Sequence, residues 1–517
     1  MVYAIGLSLI IGAFGLHYFF FKNLYLFKNY NIPYLKPWPL VGNMGQVVFG
    51  KKSVGESSKI MYDKYPGAKY IGIYDFLKPV IMIRDPELIK SIAIKHFDMF
   101  TDHRDFIQYD QDPLASQGLF FLRGDKWRKM RAILSPSYTS KKMRTMFKLI
   151  SDYAVDFTDF LVQLPPEKRV LETKDIFTRY TIDVIATCAY GISINSMRDP
   201  KNLFYMSAKD VVISEIINVL KFAVTESLPW LARVIKLRII SEKITNFFRD
   251  LIETTVRTRI QKDIVRSDML QLMMETRDGN KELTIDDIAS QAFTFFFADN
   301  QTTSNLMCFA AHEIAENEKV QKRLQNEIDQ MLEDTNGQVS YEAINNMEYL
   351  GAVLNEALRK YPIAPLLDRK CLLEFELPPT LTDAKPFTLK KGESVLVSVF
   401  GLHYDPKYFE EPEKFNPDRF VGEQKKHIDK IGAFLPFGLG PRKCIGYQFA
   451  LMELKILLFH LLARCDLLPC KKTQLPLKFA KHSFFLKTEG ELWLKVEPRE
   501  NPHHTIVTKV ANCTQDL

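Results

Sequence analysis

The chain has 517 residues, 46% of them hydrophobic and 12% aromatic, with a formal net charge of +7. That length allows a large buried core, and the basic excess is mild and scattered, without the dense block that grips nucleic acid, so no nucleic-acid partner is expected. Seven cysteines, an odd number with no Cys-x-x-Cys pair, argue against a disulfide framework or a structural zinc site and for a body in a reducing compartment.

Residues 2–21 are almost wholly apolar, with Ser8 and His17 as the main interruptions. At about 1.5 Å rise per residue such a run spans the ~30 Å core of a bilayer. A cleaved signal peptide is the alternative, but no Lys or Arg precedes the run and no clear small-x-small site follows it. Lys22, Lys28 and Lys36 follow instead. Residues 1–21 are therefore expected to be a retained transmembrane helix, with the bulk of the chain cytosolic and the sequon at Asn512 unused. Pro33, Pro37 and Pro39 cannot continue that helix, and residues 22–45 are expected to be a stiff proline-rich linker.

Beyond this point no second linker, repeat or low-complexity tract occurs. Long amphipathic runs lie at about 141–163, 203–222, 240–265, 284–317, 318–333 and 446–463, and short β-rich pieces at 68–74, 79–84, 386–398 and 482–496. This predicts one mainly α domain over residues 46–500, with small β-sheets at one side and a tail over 501–517.

Trp127 and Arg131 stand one helical turn apart, which a core Trp beside a surface Arg would also explain. In the run at 284–317, Thr294, Ala298 and Thr302 share one face at i, i+4, i+8, bordered by Phe297. Thr302 there either offers its hydroxyl to a site or back-bonds to the carbonyl four residues earlier. Glu356 and Arg359 are an i, i+3 acid–base pair of a kind common on solvated helices.

The most informative stretch is 434–446, where Phe437, Gly440, Arg442, Cys444 and Gly446 satisfy F-x-x-G-x-x-x-C-x-G with an Arg two residues before the Cys. Gly438 and Gly440 allow a tight turn that aims amide N–H groups at a sulfur, and such donors stabilise a thiolate metal ligand. The apolar helix that follows places its N-terminus near the thiol and lowers its pKa. Arg442 is placed to pair with an anionic group, and Gly446 allows close approach of a flat macrocycle. A buried Cys after a Gly-rich turn is the plain alternative.

This segment resembles the haem-binding signature of the cytochrome P450 family, and the likeness extends over nearly the whole chain, closest to the insect microsomal branch (clan 3 type). The resemblance implies the P450 fold and haem b (iron protoporphyrin IX), with Cys444 as axial ligand. It makes Trp127, Arg131, Arg369 and Arg442 partners of the haem propionates and places Phe437, Gly438 and Gly446 against the macrocycle. It assigns Glu356, Arg359 and Arg419 to a buried triad holding the cysteine loop. Ala298 leaves room for O2, and the Thr302 hydroxyl relays protons. The family's A-G-x-(D/E)-T reads Ala298-Asp299-Asn300-Gln301-Thr302 here. Gln301 cannot donate and recover a proton near neutral pH, so Asp299 or ordered water is the expected source. The pocket is expected from the loop at 106–121, the central helix near Phe297, the stretch 363–367 and the turn at 483–485, with Phe121, Phe297, Leu366 and Phe484 as lining residues. The implied activity is an unspecific monooxygenase of the endoplasmic reticulum membrane, fed by NADPH-cytochrome P450 reductase, with cytochrome b5 as an optional second donor, acting on lipophilic substrates. No Gly-rich nucleotide-binding turn is evident, so the chain is not its own reductase. A haem-thiolate isomerase or dehydratase that needs no O2, and a non-enzymatic haem protein, are the alternatives.

Overall fold

The computed structural model describes residues 26–105, 107, 110–209, 215–266, 268–277 and 283–500. The expected anchor over 1–21, Phe106, the tail over 501–517 and its sequon lie outside the described residues. Among the described residues no helix is long and apolar enough to cross a membrane.

The body is mainly helical with small sheets, as the periodicity predicts. Helices Ser140–Val162, Glu242–Lys262, Ile285–Glu316, Glu318–Asp334 and Tyr447–Arg464 follow the amphipathic runs to within a few residues. The run at 203–222 instead contains two helices, Leu203–Lys209 and Glu215–Ser227. Only the end of the last β-rich piece is a strand, Trp493–Pro498; residues 482–492 before it carry no strand.

The helix Ile285–Glu316 is central. Its start is fixed by a capping box: the Thr284 hydroxyl accepts from the Asp287 amide at 3.1 Å, and the Asp287 carboxylate accepts from the Thr284 amide at 3.0 Å. Asp286 and Asp287 also complement the helix dipole. Past the first turn the sequence is apolar or small on nearly every side, which demands neighbours all round. Helices Thr173–Ile185 and Glu242–Lys262 pack against it, and Glu348–Lys360 and Tyr447–Arg464 also touch it.

The largest sheet has the strand order Tyr70–Asp75, Lys78–Ile83, Ser394–Ser398, Leu366–Lys370. Its first two strands form an antiparallel hairpin, Ile81 pairs in parallel with Val395, and Leu366 pairs antiparallel with Ser398. This register delivers Leu366 and Arg369 to the interior of the molecule. A second sheet, Val170–Glu172, Trp493–Pro498, Cys465–Leu468, ties down the end of the helix Tyr447–Arg464.

The proline-rich segment is not free of the body. Phe27 and Ile32 are buried, and Phe27 packs edge-on against Tyr74 at 5.3 Å. Gly72 donates to the Pro33 carbonyl at 2.8 Å, and the Leu35 amide donates to the Gly72 carbonyl at 3.1 Å. The prolines suit this position because they add an extended edge without needing their own N–H groups.

Candidate active site

On the central helix, one face escapes burial. Between Ile288 and Ala315 every residue is buried except Thr294, Phe297, Ala298, Gln301 and Thr302, and Ala298 is exposed in the middle of the helix. Thr294, Ala298 and Thr302 are the i, i+4, i+8 positions and Phe297 borders them, while Gln301 joins them on the same side. The face is open in the middle of a helix whose flanking turns are buried, and we read it as one wall of an interior cleft. Cys444 is likewise exposed, although protein surrounds it on every side, and Asp299 is near enough to perturb its thiol.

The cysteine loop gets its shape from two left-handed glycines, Gly438 at φ +75° and Gly440 at φ +73°. The Cys444 amide donates to the Phe437 carbonyl at 2.9 Å and the Lys443 amide to Gly440 at 2.9 Å, which closes the turn. A Cβ on Gly440 would run into the Ala93 carbonyl. Gly440→Ala is therefore expected to cost about 1–3 kcal/mol through a forced φ and a backbone clash, read as a lowered melting midpoint; an unchanged melt would show that the loop can rearrange. Burial pushes the Cys444 thiol up, while the Gly446 N–H, Arg131 and Lys443 pull it down.

Above the loop lies a concentration of cations. Arg442 donates to the carbonyls of Thr101 at 2.8 Å and Leu122 at 2.7 Å, and its guanidinium sits 4.2 Å from the centre of the Trp127 ring. Burial and the nearby Arg369 push it down to about 9. Arg369 is buried with its Nε unpartnered, and burial also lowers it. Among the described residues neither Arg369 nor the half-buried Arg131 has a carboxylate within ion-pair distance. His103 joins this cluster: its Nδ1 meets Asp368 at 2.9 Å, and its ring stacks on Phe120 at 4.2 Å. Arg442 has Asp102 at 3.8 Å, and Asp368 acts on both Arg369 and Arg442, so two carboxylates serve three guanidiniums, and an uncompensated buried cation is costly. The cluster, the thiol and the open helix face together fit a flat cofactor that carries its own acid groups.

Thr302 donates to the Ala298 carbonyl at 2.7 Å, so its hydroxyl oxygen keeps lone pairs for the cleft. Gln301 is half-buried beside it. Asp299, three positions before Thr302, is buried and accepts from Thr303 at 2.7 Å. Loop 117–122 roofs this region: Gln291 receives the Leu119 amide at 2.9 Å and donates to the Gln117 carbonyl at 2.7 Å. Phe121 and Leu366 are half-buried there. Phe297 meets Phe485 at 6.2 Å, whereas Phe484 turns outward against Phe222 at 5.3 Å and is 42% exposed. The Leu486 amide donates to the Ile363 carbonyl at 2.8 Å, joining that turn to the stretch 363–367.

Behind the loop, Glu356 and Arg359 are fully buried and paired through two bonds, Nε–Oε2 at 2.7 Å and Nη2–Oε1 at 2.8 Å. Arg419 approaches Glu356 at 3.4 Å, and the Asn416 amide donates to the same carboxylate at 2.9 Å. His403 was not legible in advance. Its Nε2 accepts from the Leu435 amide at 2.9 Å and its Nδ1 faces the Arg359 carbonyl at 3.1 Å, which requires the Nδ1–H tautomer. Burial and Arg359 push it down to about 3, so it is neutral and bridges the ion-pair helix to the start of the cysteine loop.

Residues 32–495 match the cytochrome P450 family model. The chain is 42% identical to "Cytochrome P450 9e2" of Blattella germanica over 506 residues, covering 92% of this chain and 94% of that protein. It is 38% identical to "Probable cytochrome P450 9f2" of Drosophila melanogaster over 495 residues, covering 92% and 95%. It is 33% identical to "Cytochrome P450 6j1" of Blattella germanica over 491 residues, covering 94% and 96%. A match that runs from the proline-rich segment into the last strand, with relatives this similar over almost their whole lengths, makes the chain a member of the cytochrome P450 family, whose haem is held by a cysteine thiolate.

Proposed function

We propose that the chain is a membrane-bound monooxygenase that inserts one atom of O2 into lipophilic organic substrates and reduces the other to water. The observation that carries this reading is the single open face of the central helix, Thr294 to Thr302, set among buried neighbours, together with the open Cys444 thiol on which Asp299 of the same helix acts. Held by the Cys444 thiolate, haem would supply the O–O cleavage chemistry, because a thiolate ligand pushes electron density onto iron.

Each of the chain's own residues then has a task. Cys444 is the ligand, and the Gly446 N–H tunes its sulfur. Arg131, Arg369, Arg442 and Trp127 hold the two propionates, with His103 as a further neighbour. Phe437, Gly438 and Gly446 shape the face that lies against the ring. Glu356, Arg359 and Arg419 position the loop, and Ala298 leaves space beside the metal. Thr302 accepts and passes on a proton at its Oγ1. Phe121, Phe297, Leu366 and, from the 483–485 turn, Phe485 rather than the outward-turned Phe484 exclude water and bind an apolar substrate.

Gln301 stands where the family carries an acid. Gln301→Glu is expected to raise product formed per NADPH consumed, since a carboxyl can donate and recover a proton near neutral pH. Equal coupling in both proteins would mean that Asp299 or ordered water already suffices.

We place residues 1–21 in the endoplasmic reticulum membrane, with the catalytic domain over 46–500 on the cytosolic side. Electrons come from NADPH-cytochrome P450 reductase, with cytochrome b5 as an accessory donor. Exposed Lys126, Arg128 and Lys129, on the helix that carries Trp127, offer a basic face to such acidic partners. The test is reconstitution with reductase and lipid and a screen for substrate depletion. NADPH-dependent oxygenated product supports the reading. Turnover without NADPH would favour an isomerase or dehydratase, and no turnover of any lipophilic panel would favour a non-enzymatic haem protein.

A further inference from the structure

The helices Ile285–Glu316 and Tyr447–Arg464 meet at two acids. Asp299 projects from the first and Glu453 from the second, and their side chains face each other in hydrogen-bonding contact. Glu453 is 0% and Asp299 8% exposed. Asp299 Oδ1 takes the Thr303 hydroxyl, but Asp299 Oδ2 and both oxygens of Glu453 find no donor among the described residues. Neither carboxyl has a cation beside it there. Two ionised carboxylates cannot sit this way in a dry interior: both would be acceptors, and their charges would repel.

An independent observation points to the same place. The Tyr180 hydroxyl, on the helix Thr173–Ile185, is 1% exposed and also lacks a partner, and its phenol feels both Glu453 and Asp299. The Cys444 sulfur also feels Asp299 and adds no positive charge; the other titratable groups facing the pair are Cys188, on the turn after that helix, and Tyr138, on the turn after the helix that carries Trp127. Both are neutral near pH 7, so nothing around the pair compensates two negative charges. The nearest basic influences, Arg131 and Arg266, act on Tyr138 and Cys188 rather than on the carboxyls.

We propose that Asp299 and Glu453 hold one proton between them, and that this shared proton clamps the helix bearing Ala298 and Thr302 to the helix that continues from the cysteine loop. Asp299 and Glu453 are then positioning residues, because they set the distance between the two walls of the site without touching substrate. Burial raises both carboxyls above their ordinary range. A raised acid stabilises the fold fully below its unfolded pKa, and that contribution is lost as pH rises through the folded value. The fold therefore loses stability from the acid range upward as the first proton leaves, Asp299 being the lower of the two; the remaining shared proton keeps the clamp closed, and it opens when that last proton leaves Glu453.

The test uses the full-length haem protein. In the infrared spectrum at pH 7, the difference between wild type and Glu453→Gln should contain one protonated-carboxyl C=O band that shifts in D2O. The wild-type melting midpoint should fall between pH 5 and pH 8. That fall should flatten in Asp299→Asn and in Glu453→Gln, because an amide supplies a donor that no longer titrates. Tyr180→Phe should keep the band, since the phenol is only a neighbour. An absent protonated-carboxyl band in the wild type overturns the proposal without any variant. So does a pH slope that persists undiminished in either amide variant. These readouts do not depend on oxygenase activity, so their failure is distinct from failure of the proposed function.

Discussion

Cys444→Ser is expected to lose NADPH-dependent product formation altogether, and the carbon monoxide complex of its reduced form should lose the red-shifted Soret band of a thiolate-ligated iron. The argument is one of donor chemistry. Serine keeps the size of the side chain and the hydrogen bond from the Cys444 amide to the Phe437 carbonyl, so the loop can keep its shape. A neutral hydroxyl cannot push electron density onto iron as a thiolate does. Measuring haem content alongside the spectrum separates loss of ligation from loss of fold. A variant with full haem and an unchanged spectrum would remove the basis of the oxygenase reading.

Glu356→Ala should be the most damaging change away from the cleft. It leaves Arg359, which is fully buried, without its two carboxylate bonds, and also strips Arg419 and the Asn416 amide of their acceptor. Removing one partner of a buried pair costs about 3–5 kcal/mol, a large share of the ~5–15 kcal/mol that holds a folded domain. The expected result is little soluble haem protein, with most of the chain aggregated or degraded. Arg359→Lys should fail for a related reason, because an ammonium cannot reproduce the bidentate geometry or the further bond to the His403 carbonyl at 3.0 Å. Normal yield and melting of Glu356→Ala would mean that the triad does not support the loop.

The features written into local sequence were the readable ones. The central helix announced itself through a long amphipathic run, and the positions of Thr294, Ala298 and Thr302 on one face followed from helical period alone, whereas the Thr284–Asp287 box that starts it is a structural finding. The glycines at 438 and 440 predicted a tight turn, which the left-handed φ values bear out. What escaped notice depends on contacts between residues far apart in the chain. His403 carries no local signal: its task arises because the Arg359 carbonyl and the Leu435 amide converge on it. Glu453 likewise carries no local signal in its apolar helix, and its burial gains meaning only from Asp299 opposite. Phe484 and Phe485 are adjacent and chemically identical, and only the direction of the turn decides which one meets Phe297. The Pro33–Pro39 region read as a spacer because composition reports stiffness and says nothing about what the stiff segment rests on.

That last segment has a practical and mechanical consequence. With Phe27 and Ile32 sunk into the body and the backbone stitched to Gly72, whatever precedes Leu26 pulls on a rigid handle instead of a swivel. Any tether upstream would transmit its tilt to the sheet and so set the angle at which the whole body is presented. Shortened versions made for expression should begin before Leu26, because trimming through Gly45 would peel a wedge out of the sheet along with the tether.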